Sequence, residues 1–475
     1  MEDVIIIGAG ITGCAVAYDL SFYDLKVRVL EKCNDVSCGT TKANSAIIHA
    51  GYDPREGTEM ARLNVLGSQR TKEICEKLDV PYQQCGALVL AFDEKDEEHI
   101  HKLYQRGLNN GVEKLQILNG DEVKECEPYV SDQVKGALYA PTSAIISPWE
   151  LCLALAETAV RNGVSFNFNE AVTDIRKDGE VFTVVSEKGS YEAKTVINCA
   201  GLYADKINDM VNPHFFSIHS VKGEYYLLDK GEHVRAEHTI FQCPNEKGKG
   251  VLVSPTVHGN LIVGPDASDN EREDLSTTAS GLAFVKEQAV RSVPSVNFRE
   301  NIRNFAGNRA KTDFSDFILG ENETKGFYNV AGICSPGLSS ALAISLDVVM
   351  WLKEKMELRK KENTVDHRKV VRFKQLSEEE KNELIQKRPD YGRIICRCET
   401  ISEGEIVDAI HSAIPAVSLD SVKRHCNSSM GRCQGSFCGP KITEILAREL
   451  QISPLDVLQD QPHSNILVSE TKEVL

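Results

Sequence analysis

No stretch of this 475-residue chain approaches the roughly 20 consecutive apolar residues needed to cross a bilayer. There is also no room for a cationic, apolar leader. The first buried strand opens almost at Met1, in "MEDVIIIGAG", so a cytoplasmic protein is expected, with peripheral association at the inner membrane face left open. Positive charge is in deficit: 54 Lys and Arg stand against 70 Asp and Glu, a formal charge of −16. That excludes a general nucleic-acid binder but leaves room for a local basic pocket holding a small anion. No internal repeat is evident. The 15 cysteines are scattered and odd in number, which argues against a secreted disulfide scaffold and for a reduced chain with one dedicated cysteine site. What remains is ordinary globular composition, 41% hydrophobic and 26% charged, at a length that requires two or three domains.

The segment "DVIIIGAGITGCAVAYDLSFYDLKVRVLEK" reads as a buried strand over Val4 to Ile7, a glycine turn, a helix over 12–21 and a second strand over Val27 to Leu30. Gly8 permits the tight turn, Gly10 lets backbone approach a pyrophosphate, and Gly13 lets helix and strand pack closely. Ala9, Ile11 and Thr12 fill the same turn, where unpaired helix amides would meet phosphates. Glu31, 18 residues beyond Gly13 and followed by Lys32, is placed to accept from an adenosine ribose. Two later segments repeat the strand-into-glycine pattern. "AKTVINCAGLYAD" runs into Ala200 and Gly201, and "KGFYNVAGICSPGLSSALAIS" carries Gly332 and Gly337 before a small-residue helix starting near Ser339. Each alone could be a tight connection. Together they favour one large dinucleotide threaded by several parts of the chain, FAD over NAD.

The segments "EKCNDVSCGTTKANSAIIHAGYDPREGTEMARLN", "VKGEYYLLDK", "KGKGVLVSPTVHGNLIVGPDA" and "IRNFAGNRA" resemble the FAD-dependent glycerol-3-phosphate dehydrogenase and oxidase family. That family is a branch of the D-amino-acid-oxidase-like flavoproteins, to which L-2-hydroxyglutarate dehydrogenase is closely related; the resemblance covers about residues 1–350. It implies that Gly39, Thr40, Thr41, Asn44 and Ser45 lie along the flavin and its phosphates, and that the Val172 backbone meets the adenine. It places His49 near the isoalloxazine and the reacting alcohol, and Arg309 on the substrate anion.

Chemistry asks for such residues independently. Oxidising a secondary alcohol needs a base for the hydroxyl proton, and an imidazole suits neutral pH. A core histidine after the apolar "SAII" is the rival reading of His49. The fork of Arg309 suits a phosphate or carboxylate, against a surface ion pair. Lys247 and Lys249 in "NEKGKG" either extend over the site to hold a phosphate dianion or form a solvated turn. Ser339 and Ser340, after Gly337 and Leu338, either donate to cofactor or substrate or cap a helix.

The expected fold is mixed α/β and α+β. An FAD-binding Rossmann-like domain (1–80, 146–205 and 326–352) is interleaved with an antiparallel-sheet substrate domain (81–145 and 206–325). A linker (353–389), a small helical cysteine-rich module (390–452) and a tail (453–475) follow. The linker region from Lys353 to Arg388 holds twelve Lys/Arg and eight Asp/Glu and reads as a solvated face, with a docking face as the rival reading, rather than a nucleic-acid arm.

Cys396-x-Cys398, 34 intervening residues and Cys433-x4-Cys438 supply four thiolates from two loops. The spacing fits neither the usual structural-zinc pairing nor the plant-type ferredoxin run, so it leaves zinc and iron–sulfur both open. The segment resembles the bacterioferritin-associated-ferredoxin type of module over about 390–450, which implies a [2Fe-2S] cluster on those four cysteines. The expected activity is then oxidation of a small anionic alcohol, sn-glycerol 3-phosphate, with electrons leaving through the cluster to a redox partner protein or a second flavoprotein subunit. Oxidation of L-2-hydroxyglutarate or another 2-hydroxy acid is the rival within the same fold. A non-catalytic electron-transfer subunit is the rival of another class.

Overall fold

Every residue of the helix Ile11–Leu20 is buried, which is why its sequence is apolar or small on all sides rather than on one stripe. In the computed structural model, which describes residues 1–231, 236–244 and 250–472, this helix runs from the end of the first strand, Glu2–Ile7. That strand lies between two parallel neighbours, Val27–Leu30 and Ser190–Asn198. Ser190–Asn198 is shared along its length. Its first half pairs antiparallel with Val181–Ser186, and its second half pairs parallel with Phe327–Ala331. The eight-stranded sheet so formed gathers the three glycine-bearing strand ends at one edge, although they are far apart in sequence. The short strand Ile318–Glu321, from the segment read as substrate domain, joins this sheet by pairing with Phe327–Ala331.

Helices Glu59–Lys77, Pro148–Arg161 and Gly337–Lys355 complete the layer. The last begins at Gly337, two residues before the start expected at Ser339. Its crossing with Glu59–Lys77 is very close, since a Cβ on Gly67 would lie 2.0 Å from the Ser339 carbonyl oxygen.

A second, nine-stranded sheet is built on the long antiparallel pair Ile218–Leu228 and Asn301–Thr312, in which Val221 stands opposite Arg309. A small three-stranded sheet links the two parts by pairing Ala144–Ile146 with Ile47–Ile48 and Tyr82–Gln83. His49 follows immediately after it.

The C-terminal module has its own core, with Ile395, Ile401, Ile406, Val422, Ile442 and Leu446 packed between helices Glu403–Ile410, Leu419–Cys426 and Gly439–Leu450. Ser402 and Glu405 form a capping box at the start of the first of these helices. Among the described residues no helix is long and apolar enough to cross a membrane.

Most basic residues ahead of the module are exposed, but three turn inward as docking contacts. Arg368 reaches the Glu157 carboxylate at 2.5 Å with both side chains buried, and Arg372 pairs with Asp79 at 2.9 Å. Lys361 donates to the Ser21 carbonyl. These three charges strap the chain to the first domain; carboxylates distant in sequence could not be assigned to them in advance.

Candidate active site

The turn after Glu2–Ile7 is a close-approach device. Gly8 sits at φ +102°, and a Cβ on Gly13 would lie 2.0 Å from the Gly8 carbonyl oxygen, so strand and helix can cross only where side chains are missing. Gly10 provides no side-chain cap to helix Ile11–Leu20; Thr41 takes the Ile11 amide, which leaves those of Thr12 and Gly13 for an anion. Glu31 accepts from the Ala9 amide at 2.7 Å and from the Cys33 amide at 2.9 Å.

From this turn a single cavity of about 1430 Å³ extends across both sheets. That exceeds the roughly 300–1,000 Å³ of ordinary ligand pockets, and suits a dinucleotide with a small substrate beside it. Gly8, Gly10, Ile11, Thr12, Glu31, Lys32, Val172, Ala200 and Gly201 line one end. Gly39, Thr40, Thr41, Asn44, Ser45, His49, Arg309, Gly337 and Leu338 line the remainder. The loop 39–45 is held from both sides. Thr41 Oγ1 accepts from the Ile11 amide at 3.0 Å, and Thr40 Oγ1 donates to the Asn308 carbonyl at 2.7 Å. Asn44 donates back to the Thr41 carbonyl and accepts from the Ala46 amide.

Five of the expected residues stand behind the wall rather than in it. Ala9 serves Glu31, Gly13 packs on Gly8, and Gly332 faces Thr312. Ser340 bonds to the Pro336 carbonyl inside its own helix. Ser339 accepts from the His49 amide at 2.8 Å, so its hydroxyl fixes the backbone of the histidine. Lys247 and Lys249 lie outside the described residues.

The His49 carbonyl also accepts from Asn64 Nδ2 at 2.6 Å, and its ring lies 5.8 Å from the Phe241 ring. Across the cavity, Arg309 projects over Gly223, where an added Cβ would meet its guanidinium at 2.6 Å. The same neighbourhood holds Asp266. Burial pushes its carboxyl above the ordinary range, against the Glu224 amide that donates to it at 2.7 Å and the charges of Arg309 and Lys222.

Sequence reasoning missed how the module reaches this cavity. Asn427, Met430 and Gln434 from its ligand-bearing segment and Lys423 and Arg424 from its second helix all line it. Arg424 is buried and paired with buried Asp35 at 2.9 Å, while Ser421 donates to the same carboxylate at 2.7 Å. Burial alone would raise the Asp35 carboxyl, but His425, Arg424 and Ser421 hold it at about 2. A second clamp is Glu150. It is held at about 2 against burial by His258 of the substrate sheet, Asn427 of the module and Arg372 of the strap.

These depressed carboxyls stabilise docking fully above their unfolded values near 4, and that contribution is lost as pH falls toward about 2. Asp35→Asn leaves Arg424 buried with only Asp460, at 3.3 Å. It should destabilise the docked module by about 3–5 kcal/mol. Hydrogen exchange at neutral pH should show Leu419–Cys426 opening more readily while Ile11–Leu20 stays protected.

The four module cysteines lie as two neighbouring pairs. Among the described residues no group of three or more His, Cys, Asp or Glu is placed to hold one metal ion; Cys396 neighbours Cys438, and Cys398 neighbours Cys433. In each pair one thiol is favoured as thiolate over its partner: Cys396 is raised by the Cys438 thiol and by burial, and Cys398 is raised as well, whereas Cys438 and Cys433 are lowered. Cys438 is lowered to about 6, first by the Cys396 thiol, with Ser429 Oγ at 3.1 Å. Cys433 is lowered because the Phe437 amide, the Cys398 thiol and the Gly435 amide outweigh its burial. Two thiol pairs with amides aimed at sulfur fit a two-iron cluster.

A family model described as FAD dependent oxidoreductase (DAO) matches residues 3–350. The chain belongs to this family. To this DAO-type oxidoreductase is joined a BFD-like [2Fe-2S] binding domain, matched over residues 394–448. The chain is 51% identical to a glycerol 3-phosphate dehydrogenase of Caloramator mitchellensis, over 99% of both proteins. A glycerol 3-phosphate oxidase of Mycoplasma pneumoniae is 34% identical over 75% of this chain and 95% of its own length. The FAD-bound, dithionite-reduced L-alpha-glycerophosphate oxidase structure from that organism superposes with a TM-score of 0.75 at 32% identity. That match spans 78% of this chain and 99% of the other. An L-2-hydroxyglutarate dehydrogenase of Escherichia coli K12 is 32% identical over 56% of this chain and 64% of its own.

Proposed function

We propose that this protein is an FAD-dependent sn-glycerol-3-phosphate dehydrogenase whose electrons leave through its C-terminal module. The observation that carries the reading is one cavity shared by the glycine turn, His49, Arg309 and the ligand-bearing segment of the module, in a chain similar from end to end to a glycerol 3-phosphate dehydrogenase. FAD supplies the hydride acceptor and the [2Fe-2S] cluster a one-electron carrier when bound.

The chain's own residues do the rest. Arg309, kept close to the backbone by Gly223, binds the substrate phosphate through its planar fork. His49, its main chain fixed by Ser339 and Asn64, accepts the C2 hydroxyl proton as the alcohol becomes the ketone of dihydroxyacetone phosphate. Glu31 and the uncapped helix amides hold ribose and pyrophosphate. Cys396, Cys398, Cys433 and Cys438 hold the cluster, and the Asp35 and Glu150 clamps keep it beside the cofactor cavity. No spanning helix is needed for this chemistry, and a cytoplasmic location suits a phosphorylated metabolite.

The competing substrate is a 2-hydroxy acid, whose carboxylate would occupy Arg309. Anaerobic mixing separates the two. Glycerol 3-phosphate should bleach the flavin absorbance, and L-2-hydroxyglutarate should not; bleaching by the hydroxy acid alone would overturn the substrate assignment.

A further inference from the structure

The ligand-bearing segments of the module are divided between cavity and solvent. Met430, Gln434 and Asn427 line the cofactor cavity, and Gln434 is held there by Arg303 of the substrate sheet at 3.3 Å. Other residues of these segments are open to solvent: Cys398 is the exposed member of the four cysteines, and Phe437 is 80% exposed. A single exposed apolar side chain carries little by itself. Phe437, however, stands between two cluster ligands, Cys433 and Cys438, in a module whose other large side chains collect in a core of their own.

Charge supplies the second observation. Residues 396–400 and 429–439 contain exposed Arg397 and Arg432 and one acid, Glu399, which is buried and clamped by Lys230 at 2.7 Å. Arg432 keeps 84% of its side chain in solvent while pairing at 3.7 Å with Asp229, which follows strand Ile218–Leu228 of the substrate sheet. A chain of net charge −16 therefore presents two exposed arginines and an exposed aromatic ring in the segments that carry exposed Cys398, with Asp229 as the neighbouring acid.

We propose that this face docks a small acidic one-electron carrier protein, with Phe437 as the apolar anchor and Arg397 and Arg432 as the charged rim. Aromatic and arginine side chains are the residues that dominate protein interfaces, and opposite charge speeds encounter. Each docking event oxidises the reduced cluster by one electron and reduces the carrier's centre by one. Two carriers are therefore consumed per alcohol oxidised, and the two protons released pass to solvent, one of them by way of His49. An anionic membrane is a weaker fit. Two arginines are fewer than the roughly four to eight basic residues of a membrane-binding cluster, and the net negative charge of the chain opposes such a surface.

The proposal rests on the reading that electrons leave through the module, but binding can be tested without turnover. Oxidised holoenzyme is titrated calorimetrically with a soluble acidic b-type cytochrome domain, and with a basic c-type cytochrome as control. The acidic probe should bind, with affinity falling as salt rises. Phe437→Ala should weaken binding about tenfold or more, and Phe437→Leu should recover most of it. Arg397→Glu with Arg432→Glu should abolish acidic-probe binding and favour the basic one. Iron and sulfide content should not change, because Phe437→Ala keeps the amide that faces the Cys433 sulfur. Equal binding by wild type and variants, or no salt-sensitive binding of the acidic probe, overturns the proposal. Phe437-dependent binding to phosphatidylglycerol vesicles with none to the cytochrome would assign the face to a membrane instead. Flavin bleaching on the same sample keeps the substrate reading separate: a protein that binds the probe but is not bleached retains the docking face and loses the substrate.

Discussion

Replacing His49 with Asn should slow anaerobic flavin reduction by saturating glycerol 3-phosphate by about 10²–10⁴-fold, the usual contribution of a positioned acid–base group. FAD should remain bound. The main chain at this position is held by Ser339 Oγ on the amide and Asn64 Nδ2 on the carbonyl, and neither contact involves the imidazole. The loop 39–45 is pinned separately through Thr41 and Asn44. Asn keeps polarity and some of the volume beside Phe241 but has no side-chain base. The loss should therefore fall on the reduction step rather than on cofactor content. Two readouts on one sample decide it: the flavin-to-protein ratio, and the rate of bleaching after rapid mixing. A rate within a few fold of wild type would remove His49 as the proton acceptor and return it to the reading of a packed histidine.

What the sequence disclosed and what it hid divide by distance along the chain. The turn Gly8–Gly13 is local: strand, glycines, helix and acid follow in order, so their meeting could be read from spacing. Arg309 is different. Its place over the cavity depends on the register of two long strands in which Val221 faces Arg309, and on the space at Gly223. The peptide segment marks the arginine but not its neighbours. The Asp35–Arg424 pair joins residues 389 apart, and neither carries a local sign of its partner. The same holds for the basic strap after Lys355. Its charge pattern is that of a solvated face, and only the position of Glu157 and Asp79 turns Arg368 and Arg372 into docking contacts. Charge runs report composition, whereas burial is decided by carboxylates brought in from elsewhere. Ser339 shows a smaller version of this. As a hydroxyl after Gly337 it suggested cofactor contact or a cap, but the close helix crossing at Gly67 carries it to the His49 amide.

Cys433→Ser should separate the two halves of the reaction. The wild-type thiol is held below its ordinary value by the Phe437 and Gly435 amides and the Cys398 thiol, an environment that stabilises a thiolate for iron. A serine hydroxyl is a harder donor that gives up its proton far less readily, so the cluster should be lost or weakened. The fold should survive, because Cys433 is not among the side chains that form the module core, and docking rests on Asp35 with Arg424 and on Glu150 with Asn427. The cofactor end of the cavity has its own glycine turn and its own packed layer. Substrate should therefore still bleach the flavin in the variant at a rate close to wild type, while reduction of a one-electron protein acceptor after substrate is added should fall to the background level. Wild-type protein purified without oxygen should carry about two iron and two acid-labile sulfide per chain, and the variant markedly less. Zinc in place of iron, without sulfide, would give the cysteines a structural role and remove the proposed exit. Intact cluster content with unchanged acceptor reduction in the variant would show that Cys433 is not a required ligand. If acceptor reduction fails while bleaching persists, the hydride step belongs to the large cavity, and the onward one-electron step to the module clamped against it.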